Sequence, residues 1–456
     1  MSGIPLIIAF VIAIILMIYA ISKLKIHPFL SIMAISLIFA IVAGIPLAEI
    51  PNVIGTGFSN TFKSIGIVII FGALIGTLLE KTGAALKMAD IVVRLVGKKN
   101  PELAMLLMGW IVSIPVFCDS GFVILSPIRK ALVKRTMKSS VASTIALSLG
   151  LYISHCFIPP TPGPIAAANT LYTGANQDVN LLLVIIFGVL ASILPLIASY
   201  FFAIWIGKRV KDREELGESN EGQIVQTYEE LVASYGKLPN AWLSFAPIVV
   251  PILLMALSSA LAMAQVNIPI ITFLGTPIIA IGVGVLFALY VLATQKRTGD
   301  FYELTNETLK VTGPILFITA AGGVLGNVIA NTTMVDFIKE NSTALAAMGL
   351  MFPFLLSAIL KTAQGSSTVA LTTTAGIIAP LLTSIGLATP ELIALTVIAI
   401  GAGAMTVSHA NDSYFWVVTN FGNMKVEDGY KTQTLGTLIA GIASLINVYL
   451  IYFFIR

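Results

Sequence analysis

The chain has 456 residues, of which 57% are hydrophobic and 11% charged, with a formal net charge of +4. A soluble domain carries about 25% charged residues, so the composition excludes an ordinary soluble globular protein. The apolar residues come in runs of about 20, the length of helix that crosses roughly 30 Å of hydrocarbon. They do not alternate with period 2 as in an outer-membrane barrel. The class is therefore an all-α polytopic membrane protein.

The chain opens on "MSGIPLIIAFVIAIILMIYA", apolar from its fourth residue. It lacks a basic leading segment and a small-residue cleavage site, so it reads as a first span and not as a signal peptide. Ten full spans follow from the apolar runs, at 4–22, 29–46, 65–80, 139–158, 181–206, 243–264, 274–294, 313–331, 391–410 and 433–455. Two further apolar regions, 102–128 and 345–386, are interrupted by polar residues. The two cysteines, Cys118 and Cys156, lie in apolar context, so no disulfide framework is expected.

Basic residues orient the spans. Clusters follow spans one, three, five, seven and nine and precede span four, and together hold 22 of the 26 Lys and Arg. All fall on the cytoplasmic side if both termini lie outside, as the positive-inside rule favours. The basic clusters at 81–99 and 129–138 then flank 102–128 on one face. That region must enter and return, with "CDSG" near its tip and a returning arm at about 120–128. Irregular backbone at membrane depth survives only where protein or a water-filled cavity surrounds it. Region 345–386 behaves alike from the outer face, broken by "KTAQGSST".

Each half now reads as five spans with a re-entrant hairpin between the third and fourth. An odd number of crossings makes the halves inverted: 1–206 and 242–456, joined by a charged cytoplasmic linker at 207–241. "GIVIIFGALIGTL" from Gly66 aligns on "GPILFITAAGGVL" from Gly313 with four identities in thirteen. Inverted repeats with broken helices are a plan of secondary transporters, with substrate near the midplane where broken ends meet. Helix N-termini there suit an anion.

Ionisable groups at membrane depth are functional candidates. Asp119 is a candidate proton carrier or substrate contact, and alternatively a helix cap. Ser120 and Gly121 share its tip. Lys361 could bind a substrate carboxylate, pair with Asp119 across the tips, or snorkel to the surface. Gln364, Gly365, Ser366, Ser367 and Thr368 form a polar tip suited to a polyhydroxylated substrate or small carboxylate. His155 precedes "IPPTPGP", whose prolines break the helix. It is a candidate proton carrier, with helix packing as the alternative. His409 and Asp412, in "SHANDSYFW", are candidates of the same kind, with Asp412 also a cap for the next segment. Asn169 and Thr170 are weaker candidates. No phosphate loop is present, so ATP-driven transport within this chain is not expected. No cofactor, metal or nucleic acid is expected either.

"IPVFCDSGFVILSPI", "SHCFIPPTPGPIAAA", "KTAQGSSTVALTTTAG" and "SHANDSYFWVV", in this order, resemble the gluconate:proton symporter family of bacterial inner membranes. The resemblance covers essentially the whole chain. It implies the ion-transporter superfamily fold, with inverted repeats, re-entrant hairpins and an elevator-like movement. It implies uptake of gluconate, another hexonate, glycerate or D-serine with protons, and a homodimer as in relatives of that fold. The expectation is an importer whose substrate carboxylate sits near Lys361 and Ser366, with Asp119 or His155 carrying the proton. Sodium coupling, a passive channel and an intramembrane hydrolase using Ser366 or Ser367 are the alternatives.

Overall fold

The computed structural model describes residues 3–455 apart from 97–99, 137, 213–232, 234–235, 264–265, 267, 334–336, 338–347 and 410–411. Most of the expected linker at 207–241 and the start of the second interrupted region therefore lie outside the described residues. The described chain is helical and contains no strand. It runs α1 (Ile4–Ser22), α2 (Pro28–Ala43), α3 (Ile50–Lys81), α4 (Ala84–Val96), α5 (Pro101–Val112), α6 (Cys118–Thr136), α7 (Ser140–Phe157), α8 (Pro162–Gly174) and α9 (Leu181–Gly207). It resumes with α10 (Ala241–Met263), α11 (Pro269–Gly275), α12 (Pro277–Thr294), α13 (Phe301–Ala330), α14 (Met351–Gln364), α15 (Ser367–Ile378), α16 (Pro390–Met405), α17 (Ser413–Phe421), α18 (Val426–Gly429) and α19 (Leu435–Ile455). Among the described residues, seven stretches are long and apolar enough to cross a membrane; α2, α5, α14, α15 and α16 are apolar but shorter.

The local sequence explains where these helices begin and stop. Proline stands at the first or second position of α2, α5, α8, α12 and α16, where its missing N–H costs nothing and its φ is already helical. Ser139, Asn180 and Thr389 cap α7, α9 and α16 by accepting from Ala142, Leu183 and Leu392. Gly365 ends α14 at φ 92, a left-handed conformation that costs other residues about 1–2 kcal/mol.

Three expectations need correction. The returning arm of the first hairpin is not 120–128 but the whole of α6, Cys118–Thr136. Basic residues on this arm ride the helix beyond the apolar stretch instead of ending it, and Arg129 is buried on the Ser140 carbonyl and hydroxyl and on the Phe421 carbonyl. α3 and α13 begin 15 and 12 residues, respectively, before the apolar runs at 65 and 313. The start of α3 packs on the end of α13, where Asn327 meets the Val53 carbonyl, and the start of α13 packs on the end of α3, where Glu307 meets Lys81. α4 is an amphipathic helix bent 74° from α3, which the count of apolar runs does not register.

α3 and α13 lie antiparallel. Lys81 pairs with Glu307 at 3.1 Å near one end, and Asn327 donates to the Val53 carbonyl at 2.7 Å near the other. α2 packs on α13, and α12 packs on α3. The innermost layer is α7, α8, α15 and α16: all eighteen residues of α7 and all twelve of α15 are buried. Around it, α1, α2, α9, α10, α12 and α19 expose Ile, Leu and Phe outward, the surface a hydrocarbon solvent requires.

Candidate functional site

Two helical hairpins and two broken helices meet inside this shell. The first hairpin turns at 113–117 between α5 and α6, and the second at 365–366 between α14 and α15. The first broken helix is α7–α8, parted at 158–161, and the second is α16–α17, parted at 406–412. Prolines open the first break, while Thr161 donates to the carbonyls of His155 and Ile158 that it frees. The second break contains Val407 at φ 57, a strained position for a β-branched residue.

Asp119 stands in the first turn of α6, where a carboxylate complements the helix dipole. It is half-buried. The Ser413 hydroxyl donates to its Oδ1 at 3.2 Å, and the Cys118 thiol lies 3.7 Å from its Oδ2. The first hairpin is thereby tied to the start of α17.

Lys361 does not pair with Asp119. It is fully buried, and its Nζ donates to Asp412 Oδ2 at 2.7 Å and to the Gly365 carbonyl. Asp412 also accepts from the Ser408 hydroxyl and from Tyr152 at 3.4 Å, while its Oδ1 caps α17 through the Tyr414 N–H at 3.0 Å. The expected capping role of Asp412 is thus present, and the same side chain is the ion-pair partner of Lys361, a partnership the sequence suggested for Asp119. The ammonium lies 5.9 Å from the Tyr152 ring. A buried cation is tolerable only with a counter-charge and further hydrogen bonds, and this one has them. Lys361 is thus occupied in joining the second tip to the second break.

His155 is buried beside Phe117, with ring centres 5.9 Å apart, and its Nδ1 has no hydrogen-bond partner. The neighbouring Ser154 hydroxyl has none either. Leaving a buried polar group unpaired costs about 1–3 kcal/mol. His409 is partly exposed, and its Nε2 donates to the Thr362 carbonyl at 3.1 Å. Ser366 caps α15 by accepting from Val369. Ser367 is buried near Tyr152 and Cys156, and Thr368 is buried beside it. Gln364 ends α14 and Ser120 lies in the first turn of α6. Gly121 approaches Leu151 of α7 too closely to accept a side chain without displacement.

The N-termini of four helices converge here. α6 and α17 meet through Asp119 and Ser413, and α8 and α15 through Gly163, whose missing side chain leaves room for Leu371. At the opposite ends of α8 and α15 is a cavity of about 330 Å³. Asn169, Thr170, Thr173 and Asn176 line it from one side, and Asn60 and Asn327 of α3 and α13 from another. The weaker candidates Asn169 and Thr170 belong to this cavity and not to the tips.

The sequence profile of the GntP family permeases matches residues 4–454. The chain belongs to this family. A permease of Haemophilus influenzae is 32% identical over 97% of this chain and 91% of its own. A gluconate permease of Zymomonas mobilis is 30% identical over 95% of both chains. The D-serine transporter DsdX of Escherichia coli is 28% identical over 97% of both. Among solved structures, Neisseria gonorrhoeae MtrF, described with a class of antimetabolite efflux pumps, superimposes with a TM-score of 0.67 at 16% identity. It covers 94% of this chain and 96% of its own. At that identity the likeness concerns the fold. GntP family members are permeases and not enzymes, which removes the hydrolase alternative.

Tyr152, Ser408, Ser413 and Tyr414 were not singled out as site residues. A signal for one of them existed. Ser148, Tyr152 and His155 recur at steps of four and three, one stripe of a helix. Ser148 takes the Tyr414 hydroxyl on its carbonyl at 3.0 Å and donates to Gln433 at 2.7 Å. Gln433 lies in a π-helical turn, Tyr430–Thr434, that opens α19; such turns occur often at functional sites.

Proposed function

We propose that this protein imports gluconate or a related sugar acid across the bacterial inner membrane together with a proton. One observation carries the reading: four helix N-termini converge on a polar centre inside a helical membrane protein. The first N–H groups of each helix have no intrahelical acceptor, and with the dipole they favour a carboxylate. The substrate carboxylate binds at the first turn of α15, at Ser366, Ser367 and Thr368, with Gln364 and Gly365 shaping the tip. The first turn of α6, which holds Ser120 and Gly121, contributes to the same site. The cavity lined by Asn60, Asn169 and Asn327 is its outer vestibule.

Lys361 and Asp412 act as a fixed pair that positions the second tip against α17. Asp119 carries the proton, with His155 as the next group inward and His409 at the exposed edge. An arriving carboxylate is repelled by an ionised Asp119 and accepted more readily once Asp119 holds a proton. The coupling is reciprocal, because a proton that raises affinity for the anion is itself held more tightly by the loaded site. Residues 1–206 and 242–456 serve as inverted halves joined by the cytoplasmic linker 207–241, with both termini outside and a homodimer as the assembly. The recurrence of element order over 4–207 and 241–455 supports this arrangement.

The test is uptake of labelled gluconate into sealed proteoliposomes with an inward proton gradient and no sodium. Concentrative uptake that a protonophore abolishes is the expected result. Competition by unlabelled glycerate and D-serine ranks the substrates, the second because a relative carries D-serine. Uptake that needs sodium and ignores the proton gradient overturns the proton assignment.

A further inference from the structure

We propose that the junction of α9 with the start of α19 binds the headgroup of an anionic phospholipid. A space of about 390 Å³ opens where α9 ends and the π-helical turn begins. Arg209, Lys211 and Lys431 line it, against one carboxylate, Asp428. Asp428 lies 3.3 Å from Lys431, so two cationic charges remain uncompensated within the lining. Asp212, the next carboxylate along the chain, is buried and does not line the space.

The surroundings identify the anion as lipid. The Arg209 guanidinium sits 4.1 Å above the centre of the Trp205 ring, and tryptophan favours the boundary between hydrocarbon and headgroups. From that boundary α9 and α19, packed on each other, run into the apolar layer. Ile193, Ile197 and Phe201 form an outward stripe at steps of four on α9, and Ile442 and Ile446 another on α19; each of the five is at least 47% exposed. A soluble anion would use the cations and ignore the stripes. A phospholipid uses both, its phosphate at the cations and its acyl chains along the helices. Basic pockets between helices at a membrane face recognise anionic headgroups in this way. The lining shares no residue with the polar centre, so the site stands whatever the cargo is.

The experiment uses the full chain, delipidated in neutral detergent and titrated with phosphatidylglycerol or phosphatidylcholine, with bound lipid counted by native mass spectrometry. One phosphatidylglycerol should be retained in preference to phosphatidylcholine. Each basic residue near an anionic surface contributes about fivefold to affinity. R209Q/K431Q should therefore weaken phosphatidylglycerol binding roughly twenty-fivefold, while R209K/K431R keeps most of it. If the double variant does not fold, K211Q, an exposed change beyond the helix end, is expected to cost about fivefold. Equal retention of both lipids, or unchanged affinity in the Gln variants, overturns the proposal. Displacement of the lipid by millimolar inorganic phosphate assigns the pocket to a soluble anion and overturns it equally.

Discussion

The Lys361–Asp412 pair permits a two-way test of what the lysine is for. Removing one member of a buried pair costs about 3–5 kcal/mol, because the other charge is stranded. The two losses should differ. In K361M, Asp412 keeps the Ser408 hydroxyl, the Tyr152 hydroxyl and the Tyr414 N–H. In D412N, Lys361 keeps its charge in a fully buried place with the Gly365 carbonyl and an amide oxygen. Asparagine caps a helix as well as aspartate does, so the loss of capping does not obscure the comparison. D412N should therefore lie near 5 kcal/mol and K361M near 3, both approximate. The neutral double K361M/D412N should recover all but about 1–2 kcal/mol, since a buried pair replaced as a unit is often close to neutral. Denaturant or thermal unfolding in detergent ranks the four proteins, and proteoliposome uptake is read alongside. A double variant no more stable than D412N would refute the reasoning. K361M with native stability and a selectively raised KM would instead make Lys361 a direct substrate contact.

Asp119→Asn should abolish uphill accumulation while leaving exchange of labelled for unlabelled substrate; normal, pH-dependent accumulation removes Asp119 as proton carrier. His155→Leu replaces a buried ring whose Nδ1 is unpaired, so stability should hold or rise by about 1 kcal/mol while uptake falls. A loss of several kcal/mol would make the histidine a packing residue. Gly365→Ala should cost about 1–2 kcal/mol for its left-handed φ, seen as a lower melting temperature, and should also depress uptake by displacing the carbonyl that Lys361 holds.

Much of this arrangement was legible from residue types alone. Apolar runs mark most helices, "IPPTPGP" marks a break, and "KTAQGSST" marks a tip. Asp119 and Lys361 are conspicuous because lipid makes every charge costly. Their partners were not legible. Lys361 reaches Asp412 across 51 positions and Asp119 reaches Ser413 across 294, and neither neighbour is written into local periodicity. Tyr152 and Tyr414 look like ordinary apolar lining until the fold brings their hydroxyls to Asp412 and Ser148. The ends of α3, α6 and α13 were misplaced for another reason: hydropathy reports where hydrocarbon begins, whereas a helix continues as long as its backbone bonds do.

The charge balance of the centre bears on energetics in the living membrane. With Lys361 and Asp412 cancelling, a site with a proton on Asp119 and one substrate carboxylate bound carries one negative charge. An empty site with Asp119 ionised carries one negative charge. A charge crossing the full membrane potential changes energy by about 2.3 kcal/mol per 100 mV. Under the proposed coupling, an interior-negative cell opposes the inward passage of the loaded site and favours the outward return of the unloaded site by the same amount. The electrical gradient then accelerates resetting and adds nothing to the final accumulation ratio, which the pH difference alone sets.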